Sequence, residues 1–146
     1  DEHGVYPVGT YLKNPPGSRH APFTEQGCTL LVKLRHMQPD DGERVVIDTH
    51  RAPWLPGLVQ GLSVKPLSDF AGEHAALVQW APGTVFTAHR HWGGEEIYVI
   101  EGVFEDEHGR YPAGTWMRSP HLSQHAPFSR SGCTIFVKVG HLPEQG

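Results

Sequence analysis

Two stretches of this chain are nearly the same stretch. Residues 1–37 align with residues 106–142 at a constant offset of 105, without a gap and with 20 identities in 37 positions. Asp-Glu-His-Gly opens both, Tyr6-Pro7 returns as Tyr111-Pro112, and Gly9-Thr10 returns as Gly114-Thr115. His20-Ala21-Pro22-Phe23 matches His125-Ala126-Pro127-Phe128, and Gly27-Cys28-Thr29 matches Gly132-Cys133-Thr134. Identity at that density marks a tandem duplication, and the period is too long for a stacking solenoid, so each copy is expected to be a domain. Residues 45–146 read as one complete copy, residues 1–37 as the C-terminal third of a preceding copy, and the polar residues 38–44 as the linker. Set against the second copy, about 58 positions of the first fall upstream of Asp1. The expectation is a longer parent chain; the alternative is strand exchange with another subunit.

The folding class follows from punctuation and period. Seventeen Gly and thirteen Pro in 146 residues break the chain into short pieces, and no piece carries a capped helical period. Val45–Asp48, Gly57–Pro66, Glu73–Trp80, Glu95–Glu101 and Cys133–Val139 read as strands. Thr84–His91 reads as a half-buried strand with Val85, Thr87, His89 and His91 on one face. The expected fold is all-β, a barrel or sandwich. Cys28 and Cys133 each sit in Gly-Cys-Thr before an apolar run and are expected as small buried hydrophobes on strands. A net charge of −4 gives no footprint for nucleic acid, and no apolar run is long enough to span a membrane as a helix. With no targeting segment visible, the expected location is cytoplasmic.

The chemistry concentrates in Gly83–Gly102. On an extended strand His89 and His91 point the same way, and the Gly93-Gly94 turn brings Glu95 back beside them. Two imidazoles and a carboxylate suit a borderline divalent ion such as Zn2+ or Fe2+. The spacing from Gly83 through His89, His91 and Glu95 to Gly102 meets the pattern G-x5-H-x-H-x3-E-x6-G at every fixed position. Gly114, Pro120 and His125 meet most of a second pattern, G-x5-P-x-G-x2-H-x3-N, with Leu122 in place of its glycine and Ser129 in place of its asparagine. In the first copy Gly9, Pro15, Gly17 and His20 meet that second pattern with the glycine included.

Together these two patterns resemble the signature motifs of the cupin superfamily, and the resemblance covers essentially the whole chain. It implies a cupin jelly-roll barrel (a double-stranded β-helix) and one divalent metal ion, Zn2+ or Fe2+, per complete barrel. The ligands it implies are His89, His91, Glu95 and His125. His20 matches a ligand position whose partners lie outside residues 1–37, which makes it an orphan ligand of the incomplete first site. Glu95–Gly102, the Asp-Glu-His-Gly loop and the Gly-Cys-Thr segment are further similar to ChrR-type cupins, a group that includes the zinc-binding C-terminal domain of some anti-sigma factors. The chain is also similar to small dioxygenases that cleave β-diketones at iron. The His-x3-Cys-x2-Cys zinc pattern of the anti-sigma N-terminal domain does not occur in these residues.

Other polar residues receive plainer assignments. Glu96 should face away from Glu95 as an ion-paired or solvated carboxylate. His3 and His108 read as turn residues, His36 and His141 as fold or subunit-interface residues, and His50, His74 and His121 carry no partner spacing. Val85, Phe86, Phe104 and Phe136 are candidates for an apolar lining. Two functions remain open at this level, a metal-dependent small-molecule dioxygenase and a non-catalytic zinc-binding sensor or regulatory module. The expected partners are a small-molecule ligand or substrate and, as an assembly, a homodimer.

Overall fold

A computed structural model describes residues 1–143. Among them are thirteen strands and no helix, so no helix is long and apolar enough to cross a membrane. The chain divides into two compact units, Asp1–Ala52 and Pro53–Gly146.

The first unit has two strands, β1 (Thr10–Lys13) and β2 (Val45–Asp48), paired antiparallel from Thr10↔Asp48 to Lys13↔Val45. Beneath them Lys13 Nζ is buried and donates to both carboxylate oxygens of Asp41, at 2.9 and 3.0 Å. Burying a charge is tolerable only when it is paired in this way. Residues 21–34 form no strand and are largely exposed, Phe23, Leu30, Leu31, Val32 and Leu34 included. Cys28 is exposed as well, which corrects its expected place in a buried strand.

The second unit begins with β3 (Leu55–Pro56), β4 (Leu62–Phe70), β5 (Glu73–Trp80), β6 (Thr84–Val85) and β7 (His89–Arg90). It continues with β8 (Glu95–Asp106), β9 (Gly109–Pro112), β10 (Trp116–Ser119), β11 (Gln124–His125), β12 (Phe128–Ser129) and β13 (Cys133–Val139). The main sheet runs β3-β4-β5-β13-β8-β12-β6, and β9 and β10 also pair with β8. The twelve-residue β8 is therefore shared: residues 95–102 pair with β13 and, as far as Tyr98, with β10, and residues 103–106 pair with β9 and, at Glu105, β12. A strand that changes partners along its length curls the sheet, as the expected jelly-roll requires. Gly102 permits the change. Its φ is +75°, and a Cβ there would lie 2.2 Å from the carbonyl oxygen of Gly132, a distance no side chain tolerates.

Leu62, Trp80, Ile97, Val99, Phe104, Cys133 and Ile135 form the core. Ile97 and Val99 alternate inward along β8, which places Glu95 on the same inner face and Glu96 on the other. Trp80 meets Phe104 edge-on at 5.5 Å between centroids, a favoured aromatic geometry.

Two expected strands differ from those formed. The strand expected to end at Pro66 is β4, which continues to Phe70. The register shifts between Pro66 and Ser68, so the imino nitrogen sits at a bulge where its missing donor does no harm. The continuous strand expected over Thr84–His91 is broken into β6 and β7. Phe128 pairs with Val85 and His125 pairs with His89, so four steps on one strand oppose three on the other. That extra residue is a bulge, and it flips the face: Val85 is exposed while His91 is buried. Pro127 lies opposite the break; its carbonyl accepts the Phe86 N–H at 2.9 Å, but it has no N–H to return.

Candidate metal centre

Two short strands and the start of β8 bring the four predicted residues together. β7 and β11 pair with His89 directly opposite His125. The His91 N–H donates to the Ser123 carbonyl at 3.1 Å, and the His91 carbonyl accepts from Leu122 and Gly94 at 2.9 and 3.1 Å, closing the turn into β8. Glu95 is the first residue of β8. One ligand atom from each of His89, His91, Glu95 and His125 can be chosen so that all lie within 4.8 Å of one another. His91, Glu95 and His125 are buried and His89 is half-buried.

The ring nitrogens are oriented by their outer partners. His89 Nδ1 lies 3.0 Å from the Thr87 carbonyl, and His125 Nδ1 lies 3.4 Å from Asp106 Oδ2. In each case the ring nitrogen on the outer side of the cluster faces an oxygen, a carbonyl for His89 and a carboxylate for His125. His91 Nε2 and His125 Nε2 approach Glu95 Oε2 at 3.6 and 3.5 Å. Those distances are too long for hydrogen bonds, and His91 Nε2 and Glu95 Oε2 are buried without a hydrogen-bond partner.

The electrostatics of the bare cluster follow. Burial, and then the charge of Asp106, push the Glu95 carboxyl up to about 8. Burial, and then the neighbouring His125 and His89 rings, push His91 down to about 4. Burial lowers His125 too, with Asp106 opposing. The bare cluster thus disfavours charge on Glu95, His91 and His125, and it leaves two buried polar atoms, His91 Nε2 and Glu95 Oε2, without a hydrogen-bond partner. Each such atom costs on the order of 1–3 kcal/mol. A divalent cation satisfies both, and three nitrogens with one oxygen are a donor set suited to zinc or iron. The residues fit a metal.

Around the cluster, Phe86 meets His89 at 4.9 Å and Phe104 meets His125 at 6.1 Å between centroids, whereas the exposed Val85 lines nothing there. Glu96 is ion-paired on the opposite face, 3.0 Å from His141 Nε2 and 3.7 Å from Arg118 Nε. His141 is buried in that contact. Leu122 shows why the second motif favours glycine: its φ is +64°, and the matching Gly17 has +79°. A leucine there costs on the order of 1 kcal/mol, yet its N–H still closes the turn on His91.

Sequence reasoning missed two neighbours. His121 Nδ1 accepts the Gly93 N–H at 2.9 Å and sits edge-on to Trp92, with no spacing signal to betray it. Asp106 touches His125 across nineteen positions, and its signal was the repeat, since acid and histidine recur together as Asp1 and His20. His20 itself is exposed, 3.1 Å from Asp1 Oδ2. Among the described residues it belongs to no group of three or more metal-ligating side chains.

The family model described as the ChrR Cupin-like domain matches residues 1–38 and 42–143. The chain belongs to this ChrR cupin-like family. No curated protein matches it. Among solved structures, it is similar to an RmlC-like cupin from Ralstonia eutropha JMP134, at 22% identity and TM-score 0.56, over 63% of this chain and 65% of that one. It is also similar to Rhodobacter sphaeroides SigE in complex with the anti-sigma ChrR, at 24% identity and TM-score 0.55, over 62% and 50%. A proposed acetylacetone dioxygenase from Methylibium petroleiphilum PM1 gives 16% identity and TM-score 0.60, over 76% and 81%. At these identities the likeness is one of fold. The chain spans between half and two thirds of the length of the first two of these structures.

Proposed function

We propose that His89, His91, Glu95 and His125 hold one divalent ion, zinc or iron, and that this centre makes the chain a small-molecule dioxygenase. The observation that carries the metal is the buried pair of unpartnered polar atoms, His91 Nε2 and Glu95 Oε2, 3.6 Å apart in the four-residue cluster. Bound iron supplies the Lewis acidity and redox capacity for oxygen-dependent C–C cleavage of an enolisable diketone. The chain's own contributions are distinct. His89 is the least buried of the four, so a small molecule approaches past its ring. Phe86 and Phe104 exclude water on the inner side. Glu95 supplies the carboxylate oxygen of the donor set. The fold-level likeness to a proposed acetylacetone dioxygenase supports this reading.

A specific observation favours a second reading. Three of the four donors are buried, and four protein ligands can close a tetrahedral zinc shell with no position left for chemistry. The centre would then be structural or sensory, in keeping with the fold likeness to a complex containing an anti-sigma factor. Metal analysis of protein purified without chelator, followed by oxygen uptake by the iron-loaded chain over a panel of β-diketones, separates the two. Iron with uptake supports the enzyme. Zinc in a closed shell with no uptake supports the sensor, and a chain that binds neither metal overturns both.

We read residues 1–37 as the C-terminal part of a first barrel, with His20 as its orphan ligand. Support comes from hydrogen bonds that repeat at the offset of 105. Thr10 and Thr115 donate Oγ1 to the carbonyls of Pro7 and Pro112, both at 2.7 Å. Ser18 and Ser123 donate N–H to Pro15 and Pro120 at 3.1 and 3.0 Å.

A further inference from the structure

We propose that Asp106 is a positioning residue for the metal centre, a carboxylate whose second oxygen fixes His125 with Nδ1 protonated and Nε2 aimed at the ion. The inference rests on the reading of His125 as a ligand. Asp106 ends β8, the strand that Glu95 begins, and is buried. Its Oδ1 accepts three hydrogen bonds, from His108 N at 2.8 Å, Gly109 N at 3.0 Å and the Tyr111 hydroxyl at 3.0 Å. With one oxygen saturated and the carboxylate plane held by the turn, Oδ2 is left for the His125 ring. The next residue adds a second tie: Glu107 Oε2 accepts the Ala126 N–H at 2.8 Å. Two consecutive acids therefore grip two consecutive residues, one by the ring and one by the backbone.

The first unit supplies an independent copy of this clamp. Asp1 Oδ1 accepts from His3 N at 2.9 Å, Asp1 Oδ2 lies 3.1 Å from His20 Nδ1, and Glu2 Oε2 accepts from Ala21 N at 2.9 Å. There His20 is exposed and lies in no ligand cluster. The same contacts thus form in both copies, with and without a cluster of ligating side chains around the histidine. An anionic acceptor on the far side of a ligating imidazole holds its orientation and strengthens it as a donor, and such support is worth about 10–100-fold in metal affinity.

Asp106→Asn is the informative substitution. Three donors already point at the Oδ1 position, so the amide oxygen turns to them and the NH2 group faces His125 Nδ1. The ring proton then moves to Nε2, the atom the ion needs. The full chain carrying Asp106→Asn should lose about 10–100-fold in Zn2+ and Co2+ affinity, measured against a competing chelator, and should show an altered visible spectrum with Co2+. Tyr111→Phe removes a single donor from Oδ1 and should stay close to wild type on both readouts. Wild-type affinity and an unchanged Co2+ spectrum in a folded Asp106→Asn chain would overturn the assignment. A measurement on the unmodified metal-free chain guards against a variant that fails to fold: nitrogen-15 NMR of the histidine rings should find His125 as the Nδ1–H tautomer. Finding Nε2–H there would overturn the role of Asp106 as well. Failure of the wild-type chain to bind either ion would strike at the metal reading instead, and the tautomer result would still stand or fall by itself.

Discussion

Residues 28–34 and 133–139 share Cys, Thr, Val and Lys at matched positions and have opposite fates. The later segment is β13, hydrogen-bonded to β5 on one side and β8 on the other, with Ile135 only 3% exposed. The earlier one forms no strand, and Leu30, the counterpart of Ile135, is 68% exposed. Yet in the same two copies the Asp–His and Glu–Ala clamps and the Thr–Pro and Ser–Pro turns agree to within a few tenths of an ångström. What the sequence encodes over twenty residues survives duplication; what needs flanking strands does not. A strand's burial is a property of its neighbours, because its pattern fits a pleated surface that other segments must provide.

The comparison can be pressed with paired substitutions. The largest difference is expected in metal binding. His91→Ala removes a proposed ligand and should cost more than the roughly 100-fold that loss of a supporting residue can cost, whereas His20→Ala should leave stoichiometry and affinity unchanged. A titration showing that His20→Ala removes bound metal would place a working site in the first unit. Next comes packing. Ile135→Ala should destabilise by about 2–5 kcal/mol, and Leu30→Ala should stay within about 0.5 kcal/mol, both read by chemical denaturation.

A pH scan of the metal-free chain comes third. Between the ordinary carboxyl value and about 8 the folded chain keeps a proton on Glu95 that the unfolded chain has released, so stability falls as pH rises through that window. His91, held near 4, works in the opposite sense between about 4 and 6.5, as its unfolded form binds a proton that the folded ring refuses. From pH 6.5 to 8 the Glu95 slope stands alone. Tm should fall over that range, and Glu95→Gln should flatten the decline. The smallest effect concerns the turns: Leu122→Gly should raise stability by no more than about 1 kcal/mol, and Gly17→Leu should lower it by a similar amount.

Much of this architecture was legible in the chain. β2, β5 and β13 coincide with strands read from period and punctuation, and the spacing from His89 to His125 names the four side chains that the fold brings together. What escaped was non-local. The bulge between Val85 and His89 depends on the residue count of the strand opposite, and the exposure of Cys28 depends on flanking strands that its own sequence does not mention. Asp106 escaped for a different reason. A carboxylate in a turn has an adequate local explanation, and only its recurrence beside His20 hinted at a second duty.

The central claim is a single metal ion on His89, His91, Glu95 and His125. Elemental analysis of the full chain after loading with Zn2+ or Fe2+, combined with X-ray absorption at the metal edge, tests it most directly. The account predicts one ion per chain in a shell that includes three imidazole nitrogens and a carboxylate oxygen. No retained ion, or an ion whose shell and amount are the same in His91→Ala, would contradict it.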